Sequence, residues 1–96
     1  MDDVEKLEVL KLNLQRTGTK LDPLLRRMLA QAAQHLAQTG IALIPDDPGD
    51  DALQIDYAAY LYRRRADPEA QMPQFLRWDI HNRLFSQKGR VTDDPR

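Results

Sequence analysis

The side chains that do covalent chemistry are scarce in this sequence, and none stands in a spacing that would let it act. Nucleophilic catalysis needs a nucleophile, a base beside it and a third group to orient the base. Ser86 is the only serine. It falls near the end of a helical pattern with no Gly-x-Ser-x-Gly turn around it. The two histidines, His35 and His81, lie in different segments and lack the His-Glu-x-x-His spacing of a zinc helix. The run Asp46-Asp47-Pro48-Gly49-Asp50-Asp51 is acidic enough to suggest calcium. It has neither the alternating ligand positions nor the distal glutamate of an EF-hand loop, so helix capping is the better expectation. With no cysteine in the chain, thiolate chemistry, disulfides and cysteine-based zinc sites are excluded. The expectation is a protein that is not an enzyme and carries no cofactor and no metal.

Two other groupings suit binding. Arg63-Arg64-Arg65, with Arg77, Arg83, Lys88 and Arg90, is the main basic concentration. From Ala52 to Arg90 these seven basic residues face four acidic ones, Asp56, Asp67, Glu69 and Asp79. Arginine forks suit phosphates and carboxylates, while cations at the end of a helix also offset its dipole. In the last segment Trp78 and Phe85 point almost opposite the aliphatic stripe Met72, Leu76, Ile80 and Leu84 on a helical wheel. Such aromatics either pack inside a small domain or meet a partner.

The elements that must carry these residues read as helices. Val4, Leu7, Leu10 and Leu14 recur at helical spacing between Asp3 and Gln15, with Asp2 or Asp3 as the cap and Val9 and Leu12 off the stripe. The second helix has Asp22 as its expected N-cap, Pro23 at the first helical position and Gly40 as a left-handed C-cap. Leu25, Met28, Leu29, Ala32 and Leu36 form its inward stripe, and Arg26, Arg27, Gln31, Gln34 and Gln38 its wet side, where His35 is also expected. Ile41 to Ile44 is an extended apolar run that tucks under the bundle. Asp50 or Asp51 is expected to cap a third helix from about Asp51 to Arg65, apolar nearly all round through Tyr57, Tyr60 and Tyr62. A fourth helix is expected from Pro73 to Gln87 or Lys88, stopped by Gly89.

The fold class is therefore all-α, a single compact bundle of about four helices with a short extended segment between helices 2 and 3. The domain is expected over residues 1–90 and a flexible C-terminal tail over 91–96. A chain of 96 residues with 42% hydrophobic and 30% charged residues is globular in composition. The formal net charge of −1 does not suit a free-standing nucleic-acid binder. The acidic Met1-Asp2-Asp3 start does not read as a signal peptide, and no apolar run reaches the ~20 residues that span a bilayer. Intracellular synthesis without membrane contact is expected.

Three stretches carry a resemblance: Tyr57-Ala-Ala-Tyr-Leu-Tyr-Arg-Arg-Arg65, Met72-Pro73-Gln-Phe-Leu-Arg77 and Asn82-Arg-Leu-Phe-Ser-Gln-Lys88. Together they resemble the small head–tail connector (adaptor) proteins of tailed bacteriophages and prophages. Val4-Glu-Lys-Leu-Glu-Val-Leu-Lys-Leu-Asn-Leu14 resembles the opening of the same family, so the likeness runs from about Asp3 to Lys88. The resemblance implies an all-helical virion structural subunit at the head–tail junction, assembled in the cytoplasm of the bacterial host. Its copies would form a homo-oligomeric ring of about a dozen beneath the portal protein. The ring would extend the DNA channel and dock the tail or a stopper protein below, letting DNA pass without sequence-specific binding. The residues expected at subunit contacts are Arg63, Arg64, Trp78, Arg83 and Phe85. The alternative reading is a small DNA-binding regulator of helix-turn-helix type. Against it, the connection before the third helix is long and acidic.

Overall fold

The computed structural model describes residues 1–92, with side chains described through Ser86. Four helices follow one another: α1 (Asp3–Leu14), α2 (Asp22–Thr39), α3 (Pro48–Ala66) and α4 (Gln74–Thr92). No strand occurs among the described residues. The chain is an all-α bundle, as its periodicity implies.

Each helix begins and ends for a local reason. α1 opens on a capping box: the Asp2 carboxylate accepts from the Glu5 amide at 2.8 Å, and Glu5 accepts from the Asp2 amide. It closes at Gln15, which is left-handed with φ 56°. α2 starts one residue earlier than its sequence suggests. Leu21 occupies the N-cap without a side-chain bond, so Asp22 is the first helical residue and Pro23 the second. The Asp22 carboxylate instead meets Lys11 of α1 at 3.0 Å. Gly40 ends α2 at φ 108°, in the left-handed conformation expected of it.

α3 is capped by Asp47, whose side chain accepts from the Asp50 amide at 2.9 Å, with Pro48 at the first helical position. Asp50 and Asp51, both expected as caps, are instead buried inside the first turn. α4 begins after Pro73, whose carbonyl accepts from Leu76 and Arg77, and runs through Gly89 to Thr92. One glycine costs a helix roughly 1 kcal/mol and does not by itself end it. Of the expected tail 91–96, residues 91 and 92 are helical, and 93–96 lie outside the described residues.

α3 is the central element and packs against all three others, whereas the backbone of α4 lies close to α3 alone among the described helices and its side chains join a core cluster with Leu36 and Ile41. Ala32, Ala58 and Ala59 are buried where α2 and α3 meet, and their small side chains allow close approach. One core cluster joins α1, α2 and α3 through Leu7, Leu10, Leu25, Leu29 and Ile55. A second joins Leu36, Ile41, Leu53 and Leu76, with Met72, Ile80 and Leu84 packed against it. The 41–44 segment thus tucks under the bundle through Ile41, without forming a strand. Tyr57 and Tyr60 pack against both clusters. The radius of gyration is 14.3 Å, against about 12.5 Å for a compact chain of this length. That elongation fits a fourth helix whose described backbone lies close to one other helix.

Candidate functional site

The residues that could do chemistry do not gather. Among the described residues, no three His, Asp or Glu side chains come together in a way that would hold a metal ion. His35 is half-buried edge-on to Tyr57, with ring centroids 5.8 Å apart, so it belongs to the α2–α3 seam rather than to a fully wet side. Tyr57 in turn meets Tyr60 edge-on at 5.9 Å. Burial, with a smaller push from Tyr60 and against the pull of Arg64, raises the Tyr57 hydroxyl above its ordinary pKa. His81 is exposed on α4 and Ser86, five residues further on, is also exposed, and both are far in sequence from His35.

The acidic loop does structural work. Asp47 caps α3, and Asp51 lies 3.7 Å from Lys6 of α1. Lys6 also donates to Gln54 at 2.8 Å, and Gln54 donates to the Leu29 carbonyl at 2.9 Å. Asp50 accepts from the Ile44 amide at 2.7 Å and from Arg83 Nε at 2.6 Å. A second guanidinium nitrogen of Arg83 reaches the other Asp50 oxygen at 3.0 Å and the Ala42 carbonyl at 2.7 Å. These buried polar groups tie α1, α2, the 41–44 segment and α4 to the first turns of α3. Burying them is tolerated because each finds a partner.

Arg83 was expected on a subunit contact. The structure places its guanidinium against Asp50, inside the fold, where the carboxylate raises its pKa above the usual arginine value. Arg63 and Arg64 lie elsewhere, on the exposed last turn of α3. Arg63 reaches Asn13 of α1 at 3.3 Å, and Arg16 lies over the Tyr62 ring at 5.7 Å from its centroid. Arg64, Arg65 and Arg27 border a shallow cleft floored by Leu24, Met28 and Leu61. The basic residues therefore concentrate where α1 ends, α2 begins and α3 ends. The expected site residues do not form one site: Arg63 and Arg64 sit at this end, while Trp78 and Phe85 lie on α4.

Trp78 is 60% exposed and Phe85 80% exposed, while Leu76 on the opposite side is fully buried. The aromatic side of α4 is therefore left uncovered by the domain itself. Phe75, which sequence periodicity did not single out, is 55% exposed beside them. Trp78 and Phe85 line an open groove of about 730 Å³ that includes Met72, Arg77 and His81. Given ring areas of about 150–250 Å², covering the two would remove on the order of 300 Å² from water. At about 25 cal/mol per Å² that is roughly 7 kcal/mol before the entropy cost of association. A second uncovered strip lies on α1, where Val4, Val9 and Leu12 are exposed. Their off-stripe positions were legible in the sequence for Val9 and Leu12, but Val4 was expected to face inward.

The chain matches no protein-family model, no curated protein and no solved structure. No helix among the described residues is long and apolar enough to cross a membrane.

Proposed function

We propose that this protein is a structural subunit of a phage head–tail connector ring beneath the portal, which extends the DNA channel and docks the tail or a stopper. The resemblance of Tyr57–Arg65, Met72–Arg77 and Asn82–Lys88 to that family supplies the identity of the assembly. The observation that carries the reading physically is the uncovered aromatic side of α4, with Trp78 and Phe85 exposed on a helix whose other side is fully used. A domain with no clustered chemistry and a large uncovered aromatic face is suited to assembly. The near-neutral net charge of −1 suits a channel through which DNA must slide rather than bind. Itself, the portal and the tail or stopper are the partners in this reading.

The regulator alternative has less support. Its recognition helix would need a free face to enter a groove, and α3 is buried among the other three helices.

Native mass spectrometry over a wide concentration range tests the proposal. A closed species of about a dozen chains is expected. A stable dimer would favour the regulator, and a strict monomer would leave the resemblance without physical support. Replacing Trp78 or Phe85 by aspartate should abolish the large species with the helical circular dichroism unchanged. If both variants unfold instead, these residues are core and the interface reading is lost.

A further inference from the structure

We infer that the aromatic groove of α4 receives the outer face of α1 from a second copy of the chain, a head-to-tail contact. This deepens the ring reading and rests on it only for closure of the contacts into a ring.

The outer face of α1 presents Val4, Val9 and Leu12, with Leu12 77% and Val4 67% exposed. Glu5 and Glu8 are interleaved with them and exposed. The two lysines of α1 do not offset this acidity, because Lys6 lies against Asp51 and Gln54 and Lys11 against Asp22, both largely covered. Arg63 reaches α1 only at Asn13, beyond the last apolar residue of the strip. The outer face is thus acidic, with Glu5 and Glu8 standing between the exposed apolar side chains.

The groove on α4 has the opposite character. Trp78 and Phe85 supply the apolar wall, and Arg77 is its charged lining residue, with His81, Gln71 and Asn82 beside it. Among the described residues, no acidic side chain lines it. An amphipathic helix laid into an apolar groove is a common recognition mode, and charge at the rim fixes its direction. The lengths agree. From Gln74 to Phe85 the groove wall rises about 17 Å, and from Val4 to Leu12 the strip rises about 12 Å. Among the described residues, α1 and α4 do not approach each other closely. One copy can therefore give its α1 to a neighbour while its α4 receives another. Two different patches joined in this way generate a ring or an open series rather than a two-fold dimer.

The test uses two full-length variants, Leu12→Glu and Trp78→Glu, each changing an exposed side chain on one face. Each alone is expected to remain at the 11.1 kDa mass of one chain, with unchanged circular dichroism. Mixed in equal amounts they should form a 1:1 complex, because the intact groove of the first variant receives the intact strip of the second. A mixture that stays monomeric overturns the contact. So does self-association of Leu12→Glu with Trp78→Glu monomeric, which would mean that grooves pair with grooves. A parent chain that is monomeric at about 1 mM also overturns it. The ring reading fails separately. An open series of sizes with the 1:1 complex intact keeps the contact and removes the ring. A closed ring indifferent to both substitutions keeps the ring and removes the contact.

Discussion

Asp50 and Arg83, thirty-three residues apart in the chain, form a bidentate pair that fastens α4 to the start of α3. The Asp50 side chain is 4% exposed and that of Arg83 12%. Removing one partner strands the other away from water, which typically costs about 3–5 kcal/mol. Asp50 also accepts from the Ile44 amide, so Asp50→Ala removes an acceptor from that amide as well as from Arg83. We expect Asp50→Ala to lower the unfolding free energy by about 3 kcal/mol in urea titrations, a large share of what a domain this size has. The double variant Asp50→Leu with Arg83→Met should recover much of that loss. A single variant within about 0.5 kcal/mol of the parent would show that the pair is not needed.

A second expectation concerns pH. Burial, reinforced by neighbouring Asp79 and opposed by Arg63, raises the Asp56 carboxyl above its ordinary value of 3.8. The folded state then binds this proton more tightly than the unfolded chain does. Stability contributed by the protonated form is therefore present at low pH and falls as pH rises through the window above 3.8. Asparagine does not ionise, so Asp56→Asn should melt a few degrees higher than the parent at about pH 7. At about pH 3 the two should coincide, because Asp56 is neutral in both states there. Equal melting temperatures at both values would mean that the carboxylate is well solvated.

Much of the bundle is legible in the residues, and what is not legible has an identifiable cause. Leu25, Met28, Leu29, Ala32 and Leu36 are buried as their spacing requires. Gly40 ends α2 because only a local conformation is at stake. The cap of α3 was less accessible to sequence reasoning, because Asp47, Asp50 and Asp51 are all chemically able to cap. Tertiary partners decide between them: Arg83 takes Asp50, the Met1 amino group and Lys6 take Asp51, and Asp47 is left at the helix start. Periodicity likewise gives α4 two apolar sides but does not say which one the rest of the chain covers. That depends on the second core cluster, built from Leu36, Ile41 and Leu53 of distant segments. Val4 lies on the inward stripe by spacing yet is exposed at the first turn of α1.

Backbone conformation supplies a third expectation, with two substitutions of opposite sign. Gly40 holds φ 108°, a region that strains any residue bearing a Cβ. Gly40→Ala should cost about 1–2 kcal/mol, although an added Cβ would meet Leu84 only at an ordinary 3.6 Å. Gln15 holds φ 56° as the C-cap of α1, so Gln15→Gly should gain up to about 1 kcal/mol. Denaturant midpoints with unchanged slopes check both. A neutral Gly40→Ala would mean that the end of α2 relaxes out of the left-handed region.

The arginine end of the bundle carries the last expectation. Arg63 and Arg64 are exposed on the final turn of α3, where positive charge complements the helix dipole. In the ring reading they contact a neighbouring subunit or the portal rather than solvent. Arg63→Glu with Arg64→Glu puts two carboxylates at the negative end of the dipole, and Arg63 no longer counters the charge of Asp56. A stability loss of about 1–2 kcal/mol is therefore expected even in the monomer, and assembly must be judged well below the melting temperature. Under those conditions the ring should dissociate at a protein concentration at least about tenfold higher than for the parent, as one lost charge pair of about 1.4 kcal/mol per contact requires. Raising salt should weaken the parent toward the variant, because exposed charge pairs are screened. Assembly of the variant at parental concentrations, in low salt, would remove this cluster from the subunit contacts. The uncovered faces of α1 and α4 would then be the remaining candidates.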